Sequence, residues 1–208
     1  MNLQEAIGVA MSHPFGVGNS QFRLGKRSGF VDSVYLGCFR KEVFGRIGLF
    51  DERAAVISED SDINERIRGA GGKVYLNKDI VACYYPRGSF VDFWRLYFRY
   101  GGARAGNVLK HKALTSWRQA IAPLYVFTLA ISAVLSLVDS RFLYLLVAAL
   151  SAYAAANVAV STAIGIKCRK AWLVPLAACA FACMHFGWGL GFWKRLIVPE
   201  KAGRYWGN

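Results

Sequence analysis

The stretches AIAPLYVFTLAISAVLSLV (residues 120–138) and FLYLLVAALSAYAAANVAVSTAIGI (residues 142–166) define the second half of this chain. Both are almost wholly apolar, and both are long enough to cross a bilayer, which takes about 20 helical residues. Only Asp139-Ser140-Arg141 lies between them, which is too short for anything but a tight turn. The two runs therefore predict a hairpin of membrane-spanning helices.

A third apolar run, residues 171–193, is harder to place because it contains Pro175, His185 and three glycines. For His185 we expect a hydrogen bond between helices, because a polar side chain among apolar residues needs a partner. Lys and Arg favour the cytoplasmic side of a membrane helix. They cluster before this run (Lys167, Arg169 and Lys170) and after it (Lys194, Arg195, Lys201 and Arg204). Three full crossings would put the second cluster outside, so two alternatives stay open: a re-entrant third run, or an exception to the charge rule.

The composition favours a membrane protein over a nucleic-acid binder. The 208 residues are 55% hydrophobic and carry a net charge of +13, which suits an anionic membrane surface or a nucleic acid equally well. Residues 1–118 hold 18 Lys and Arg against 11 Asp and Glu, whereas residues 119–208 hold 8 against 2. Through residues 51–68 the acids are interleaved with the arginines, which argues against a contiguous basic face.

The cysteines predict no metal site and no disulfide framework. There are five of them (Cys38, Cys83, Cys168, Cys179 and Cys183), with no CxxC pair and no histidine at metal-binding spacing. We expect reduced, buried, small side chains in a cytosol-facing protein.

The first half of the chain has the pattern of short helices and strands. Residues 3–11 predict a helix, which the step His13-Pro14 ends. Residues 59–70 predict another, with acids at its start, helical spacing of its apolar residues and Gly71-Gly72 at its end. The remaining predictions are a strand at Phe30 to Tyr35, a helix at about Arg40 to Ile47, and strands at Lys73 to Leu76 and Ile80 to Tyr85. This order fits an α/β or α+β domain.

Residues 89–118 mix aromatic side chains with Arg95, Arg99 and Arg104. Such a segment can lie on a membrane surface, with aromatics toward lipid and arginines toward headgroups or an anionic ligand. The alternative is an ordinary amphipathic core helix. The predicted organisation is thus a polar domain at 1–88, an amphipathic interfacial segment at 89–118 and a transmembrane region with two or three helices at 119–208.

Several motifs occur in order between Ser12 and Trp117. They are Phe15-Gly16-Val17-Gly18, Val31-Asp32-Ser33-Val34 with Gly37 and Phe39-Arg40, Gly48 with Phe50-Asp51-Glu52, Glu59-Asp60 with Asp62 and Arg66, and Arg99-Tyr100-Gly101. Together they resemble the second half of the catalytic domain in family 2 inverting glycosyltransferases, especially bacterial exopolysaccharide enzymes of the succinoglycan type. The resemblance implies an α/β fold: an incomplete, GT-A-like glycosyltransferase domain (its acceptor half), followed by a helical transmembrane region.

Glu59-Asp60 is the centre of this resemblance. In the family a Glu-Asp pair ends a loop at the acceptor side of the fold. Its Asp is the general base, which takes the proton from the acceptor hydroxyl as that oxygen attacks the anomeric carbon. The resemblance therefore implies that Asp60 is the catalytic base and that Glu59 shapes its pocket, with Asp62 and Arg66 binding substrate. From the residues alone, the acids could instead satisfy free N–H groups at a helix start.

Arg99-Tyr100 resembles the Arg-Trp end of the family's Gln-x-x-Arg-Trp motif, whose basic residue faces the leaving diphosphate. A guanidinium suits a phosphate because its planar fork donates two parallel hydrogen bonds. The position of the motif's Gln is Leu96 here. From the residues alone, Arg99 could also be an interfacial arginine whose head group reaches toward water.

A complete enzyme of the family also has a nucleotide-binding βαβ half that ends in Asp-x-Asp, whose carboxylates hold a divalent metal (Mg or Mn) on the donor diphosphate. Asp60-Ser61-Asp62 has that spacing, but it lies where the base motif belongs. We therefore expect the metal ligands to be absent from this chain. The chain then corresponds to the C-terminal portion of an enzyme, and we expect it to be inactive alone.

The resemblance also implies the partners and the location. They are a nucleotide-sugar donor, a lipid-linked saccharide acceptor, membrane lipid, and a missing N-terminal half or subunit, with no nucleic acid. The chain would be a multi-pass protein of the bacterial inner membrane with its polar N-terminal half in the cytoplasm. The alternative is a non-catalytic membrane accessory protein that needs a separate nucleotide-binding partner.

Overall fold

The computed structural model describes residues 2–25, 27–51, 59–112 and 116–198. The polar half contains α1 (Asn2–Met11), α2 (Pro14–Val17), α3 (Gln21–Leu24), β1 (Gly29–Val31), α4 (Lys41–Ile47), α5 (Glu59–Gly69) and β2 (Val74–Leu76). Then come α6 (Phe90–His111), a 3-10 turn at Trp117–Ala120, α7 (Ile121–Leu135), α8 (Arg141–Cys168) and α9 (Leu173–Ile197). Four residues lie outside the described residues: Ser58, which we expect directly before the helix at residues 59–70, and Glu52, Lys201 and Arg204.

The predicted helices of the polar half are confirmed as α1, α4 and α5, but the strand predictions hold only in part. β1 and β2 form an antiparallel ladder in which Phe30 lies opposite Tyr75. The strand predicted at Phe30 to Tyr35 is shorter. The strand predicted at Ile80 to Tyr85 is wrong, and the ends of that segment are 81% and 85% exposed. A strand needs a neighbour with which to exchange hydrogen bonds, and the described residues offer this segment none. Taken over all the described residues, the chain is mostly helical.

α6 occupies most of the segment predicted to be amphipathic. The Ser89 hydroxyl caps its N-terminus by accepting a hydrogen bond from the Asp92 N–H at 3.1 Å. Phe93 and Tyr97 are buried in the main core, whereas Arg95 and Arg99 are exposed on the other side. Part of the aromatic face therefore packs in a protein core, as in the second of the two alternatives.

Within the described ranges, three helices are long and apolar enough to cross a membrane: Trp117–Leu135, which includes α7, and then α8 and α9. The predicted hairpin between the first two is present, and the Arg141 N–H donates to the Asp139 carboxylate at 2.8 Å. The third apolar run is one continuous helix. Pro175 does not break it, because a proline in the first turn removes an N–H that has no partner within the helix.

The main apolar core lies between α1, α6 and α9. Ile7, Phe93, Leu173 and Phe181 are fully buried there. Burying a side chain of this size contributes about 1.5–3 kcal/mol. α9 is thus the element that joins the polar half to the apolar half.

His185 forms the helix contact that its sequence context predicts. Its Nε2–H donates to the Phe15 carbonyl at 2.9 Å, because a carbonyl can only accept. Its Nδ1 therefore accepts from the Tyr153 hydroxyl of α8 at 3.0 Å. The side chain connects α9 to α8 and to α2 of the polar half.

The five cysteines are free, but the expectation that they are buried is wrong for four of them. Cys38, Cys83, Cys168 and Cys179 are exposed, and Cys183 is half-buried. In an apolar helix that faces lipid, a small apolar side chain needs no protein core. An apolar sequence neighbourhood therefore does not imply burial within the protein.

Candidate active site

The first turn of α5 carries three acids, Glu59, Asp60 and Asp62. Acids are favoured there because free backbone N–H groups give a helix N-terminus partial positive charge. Arg66 and Arg68 lie in the last turn, where the dipole has the opposite sign. The position of the acids on the helix does not distinguish them, but their surroundings do.

Asp60 is half-buried, and the backbone of Leu36 forms a hydrogen bond with its carboxylate. Burial raises the pKa of Asp60, and the Leu36 hydrogen bond offsets only part of that rise. Burial also raises the pKa of the neighbouring Glu59, and the charge of Asp60 adds to that effect. A carboxylate with a raised pKa is a stronger proton acceptor, which is the property a general base needs.

Leu36 holds a left-handed backbone conformation with φ of 54° and is 68% exposed. That conformation costs a non-glycine residue about 1–2 kcal/mol. Such strain persists only where surrounding structure imposes it, and it is frequent at functional sites. Here the strained residue is the one whose backbone contacts the Asp60 carboxylate.

Asp62 has the opposite environment, because its side chain is 2% exposed and is surrounded by the cations Arg66 and Lys110 and by the His111 ring. Its Oδ2 accepts from Arg66 Nε at 3.0 Å, and its Oδ1 accepts from Lys110 Nζ at 2.8 Å and His111 Nε2 at 2.9 Å. Burial alone would raise the pKa of Asp62, but the hydrogen bonds from Lys110 and His111 and the charges of Lys110 and Arg66 outweigh it, so the pKa is lowered. Asp62 therefore ties α5 to the end of α6 as an ionised group.

Arg66 joins α5 to the end of α4. Its Nη1 donates to the Ile47 carbonyl at 2.7 Å, in addition to the contact with Asp62. Arg66 also lines an open cleft together with Arg46 and His111. The direct binding of substrate by Asp62 and Arg66 stays a prediction, while their observed contacts hold α5 in place.

Three basic residues belong to the site although the sequence did not predict a role for them there: Arg104, Lys110 and His111. Arg104 Nη2 donates to the Ser61 hydroxyl at 2.6 Å, and its Nη1 lies 3.9 Å from the Glu65 carboxylate. A buried arginine in an aromatic helix requires an acidic or polar partner. That requirement could have drawn attention to Arg104, but it does not identify the partner.

Arg99 and Tyr100 are consecutive residues of α6 with different surroundings. Arg99 is exposed and Tyr100 is half-buried. Burial raises the pKa of Tyr100, and a hydrogen bond with Arg23 lowers it in part. Tyr35 is also near enough to add to the rise, and it precedes the residue that contacts Asp60. Tyr35 is therefore near Tyr100, and the residue after it contacts the candidate base.

Leu96, at the glutamine position of the motif, is 7% exposed. It lies one helical turn before Tyr100 on α6. A leucine there can pack but cannot hydrogen-bond, so this chain lacks the polar contact that the family's glutamine would make.

The Phe15-Gly16-Val17-Gly18 motif packs against α9. A Cβ on Gly16 would collide with the backbone of α1. Gly18 has a φ of 61°, and the Arg118 side chain passes over it. Arg118 continues to Asp32, with Nη2 2.7 Å from Oδ2. Arg118 thus contacts two of the motifs that resemble the glycosyltransferases, at Gly18 and at Asp32.

The residues at this site do not fit a divalent metal. Among the described residues no group of three or more His, Cys, Asp and Glu side chains is placed to hold one. In the Asp60-Ser61-Asp62 segment, the Asp62 carboxylate already accepts hydrogen bonds from Arg66, Lys110 and His111, and Ser61 accepts from Arg104. The contacts of Ser61 and Asp62 with basic side chains therefore explain the Asp-x-Asp spacing in this chain.

The glycosyl transferase family 21 pattern matches residues 33–198, a range that includes Glu59-Asp60, Arg99-Tyr100 and all three apolar helices. The chain therefore belongs to glycosyl transferase family 21. The sequence motifs resemble family 2, whereas the family that matches is family 21. The predicted class of protein, a glycosyltransferase, is confirmed.

The chain is also 31% identical over 194 residues to the succinoglycan biosynthesis protein ExoA of Rhizobium meliloti (strain 1021). The alignment covers 93% of this chain and 57% of that relative, so the chain spans little more than half of the relative's length. This similarity agrees with the predicted resemblance to succinoglycan-type enzymes. No solved structure matches the chain.

Proposed function

We propose that this chain provides the acceptor side of an inverting, GT-A-like glycosyltransferase of bacterial exopolysaccharide biosynthesis. The enzyme transfers a sugar from a nucleotide-sugar to a lipid-linked polysaccharide precursor at the cytoplasmic face of the inner membrane. The observation that carries the proposal is the environment of Asp60, a half-buried carboxylate of raised pKa beside the strained Leu36. Membership of the family and the similarity to a succinoglycan biosynthesis protein support the reaction class.

Asp60 acts as the general base. Its carboxylate takes the proton from the acceptor hydroxyl while that oxygen forms a bond to the anomeric carbon. The bond from this carbon to the diphosphate oxygen breaks on the opposite face, which inverts the configuration. Glu59, exposed beside Asp60, borders the acceptor.

Asp62 and Arg66 act mainly by positioning the base. Lys110 and His111 bind Asp62 from α6, and Arg66 binds the end of α4, so the first turn of α5 is held from two sides. A misplacement of a catalytic group by about 1 Å can cost about 10²-fold in rate. The ion cluster around Asp62 therefore supports catalysis without contacting the reacting atoms.

Arg99 and Tyr100 bind on the donor side of the reaction. The exposed Arg99 guanidinium offers a planar pair of donors to the leaving diphosphate. Arg23, which hydrogen-bonds Tyr100 and lies 5.2 Å from the centre of the Tyr84 ring, adds positive charge on the same side.

The nucleotide-binding half comes from outside these 208 residues, either as more of the same polypeptide or as a separate subunit. It would carry the divalent metal, Mg or Mn, whose chemistry is to neutralise charge on the donor diphosphate. The apolar α7–α8 hairpin anchors the site to the membrane, with Lys167, Arg169 and Lys170 on the cytoplasmic side.

A chimera tests this proposal. The aligned segment of the Rhizobium protein is replaced by this chain, and membranes are assayed for sugar transfer to lipid-linked acceptor. We expect the chimera to transfer sugar, its Asp60→Asn form to be inactive at equal membrane content, and the isolated chain to be inactive. Transfer by the Asp60→Asn chimera would exclude Asp60 as the base, and turnover of nucleotide-sugar by the isolated chain would exclude the acceptor-half assignment.

The Asp60→Asn change also distinguishes this proposal from a second candidate, a non-catalytic accessory protein. This candidate is the alternative that the sequence leaves open. It predicts that the separately expressed chain restores polysaccharide synthesis beside a nucleotide-binding partner, and that Asp60→Asn has no effect on that restoration.

A further inference from the structure

Both ends of α9 lie against the polar half of the chain. At its start, Leu173 is fully buried in the same core as Ala6 and Ile7 of α1. Just before it, Lys170 forms an ion pair with Glu5 of α1. The beginning of α9 is therefore fixed to the first helix of the polar half.

The C-terminal half of α9 runs beside α6 in the same direction. Glycines allow the close approach, because a Cβ on Gly191 would overlap the backbone of α6 and one on Gly101 would overlap the backbone of α9. Neighbouring positions advance together along the two helices: Trp94 with Gly187, Phe98 with Gly191, and Gly102 with Arg195. The far end of α6 is bound to α5 through Lys110 and Asp62.

α6 does not belong at the centre of a bilayer. Arg95 and Arg99 are exposed in its first half, and an arginine at the bilayer centre costs at least about 2.5–3.5 kcal/mol. Since α1 and α6 together accompany α9 from its first turn to Arg195, α9 cannot have one end on each side of a membrane unless charged helices cross with it.

Burial also separates α9 from the other two apolar helices. Of the most apolar 18 residues in each helix, 39% are buried in α9, 17% in Trp117–Leu135 and 6% in α8. The exposed positions of α9 between its ends form one narrow stripe: Pro175, Cys179, Leu190 and Lys194. α8 instead exposes most of its circumference, as a lipid-facing helix does.

We propose that α9 does not cross the bilayer but lies at its cytoplasmic surface, between the polar half and the lipid. The α7–α8 hairpin then makes the two crossings of the described chain. The exposed stripe of α9 faces the boundary between headgroups and acyl chains, and Lys194 meets anionic headgroups. The basic residues before and after α9 then lie on the same side, which satisfies the charge rule that three crossings would break.

This inference depends on the crossing of the α7–α8 hairpin and not on the sugar-transfer proposal. Fusions after Asn208 of the full chain test it in bacteria. We expect a green fluorescent protein there to fluoresce, as it does in the cytoplasm, and alkaline phosphatase there to be inactive, because it needs the periplasm. Active phosphatase at that position would overturn the inference.

Cysteine labelling provides the second measurement, in a chain whose five cysteines are replaced by serine. A membrane-impermeant maleimide should label Ser140→Cys, in the hairpin, from the periplasm. It should label Val198→Cys, directly after α9, only once the inner membrane is opened. Periplasmic labelling of both positions, or of neither, contradicts two crossings. Because the readout requires no enzymatic activity, correct labelling with no sugar transfer would count against the proposed function alone.

Discussion

Replacing Asp60 and Asp62 one at a time by asparagine should separate catalysis from folding within one turn of α5. Each change keeps the size of the side chain and removes its ability to hold a negative charge. For Asp60→Asn in the chimera we expect transfer to fall about 10²–10⁴-fold, the range for loss of a general base. In the unmodified chimera the rate should decline as the pH falls through the pKa of Asp60, at a higher pH than for an ordinary aspartate, because burial raises that pKa.

The stability effects of the two changes should have different signs. Folding raises the pKa of Asp60, so its ionised form opposes folding at neutral pH, and that penalty disappears as the pH falls through the folded-state pKa. Asp60→Asn should leave the free energy of unfolding unchanged or slightly increased. Folding lowers the pKa of Asp62, so Asp62 contributes stability above its unfolded-state pKa and loses it as the pH falls through the folded-state value.

The magnitude for Asp62→Asn follows from the burial of its ion cluster. Removing one partner of a buried ion pair costs about 3–5 kcal/mol. Lys110 is 38% exposed and also contacts Asp51 at 2.8 Å, so water and that acid compensate part of the loss. We therefore expect about 2–3 kcal/mol of destabilisation.

Urea unfolding in detergent, followed by circular dichroism at several pH values, measures both effects, and the chimera assay measures transfer. Asp62→Asn should lower the unfolding midpoint without changing the slope. If Asp60→Asn destabilises the protein as much as Asp62→Asn does, the two acids do not have the separate roles assigned here.

Three further substitutions, two of them with a matched control variant, test the contacts around the site. Gly191→Ala should separate α6 from α9 and lower both stability and transfer, while Gly106→Ala, with no atom closer than 3.7 Å, should be neutral or stabilising by up to about 1 kcal/mol; thermal unfolding compares them. Arg99→Ala should raise the KM for nucleotide-sugar in the chimera without a change in the unfolding midpoint. Arg95→Ala, also at an exposed arginine, should change neither the KM nor the midpoint. Equal effects of the two changes on the KM would assign Arg99 to the membrane surface. His185→Leu should cost about 1–3 kcal/mol by leaving the Phe15 carbonyl without its donor, and an unchanged unfolding midpoint would contradict this.

Much of the helical architecture followed from local pattern. The helices at residues 3–11, 40–47 and 59–70 and the hairpin around Asp139-Ser140-Arg141 are set by apolar spacing, by glycine or proline at their ends and by run length. The strand at Ile80 to Tyr85 was wrong for the complementary reason. Alternation and β-branched residues describe what a strand can tolerate, but a strand forms only where another strand pairs with it.

The candidate site shows the same division. The motif Glu59-Asp60 could be found from the order of residues, because it belongs to one short segment. The different roles of Asp60 and Asp62 could not, because Lys110 and His111 lie 48 and 49 residues away from Asp62 along the chain. The charge state of a carboxylate depends on burial and on neighbours in space, and neither is written in its local sequence.

The sequence by itself determined that this protein has a polar half, with a motif that resembles the acceptor side of a glycosyltransferase, and three apolar runs with basic residues around the third. Whether that third run crosses the membrane is decided by the tertiary structure. Hydrophobicity measures how well a helix avoids water, and a bilayer and a protein core provide that equally. Only the packing of α9 against α1 and α6 distinguishes the two environments.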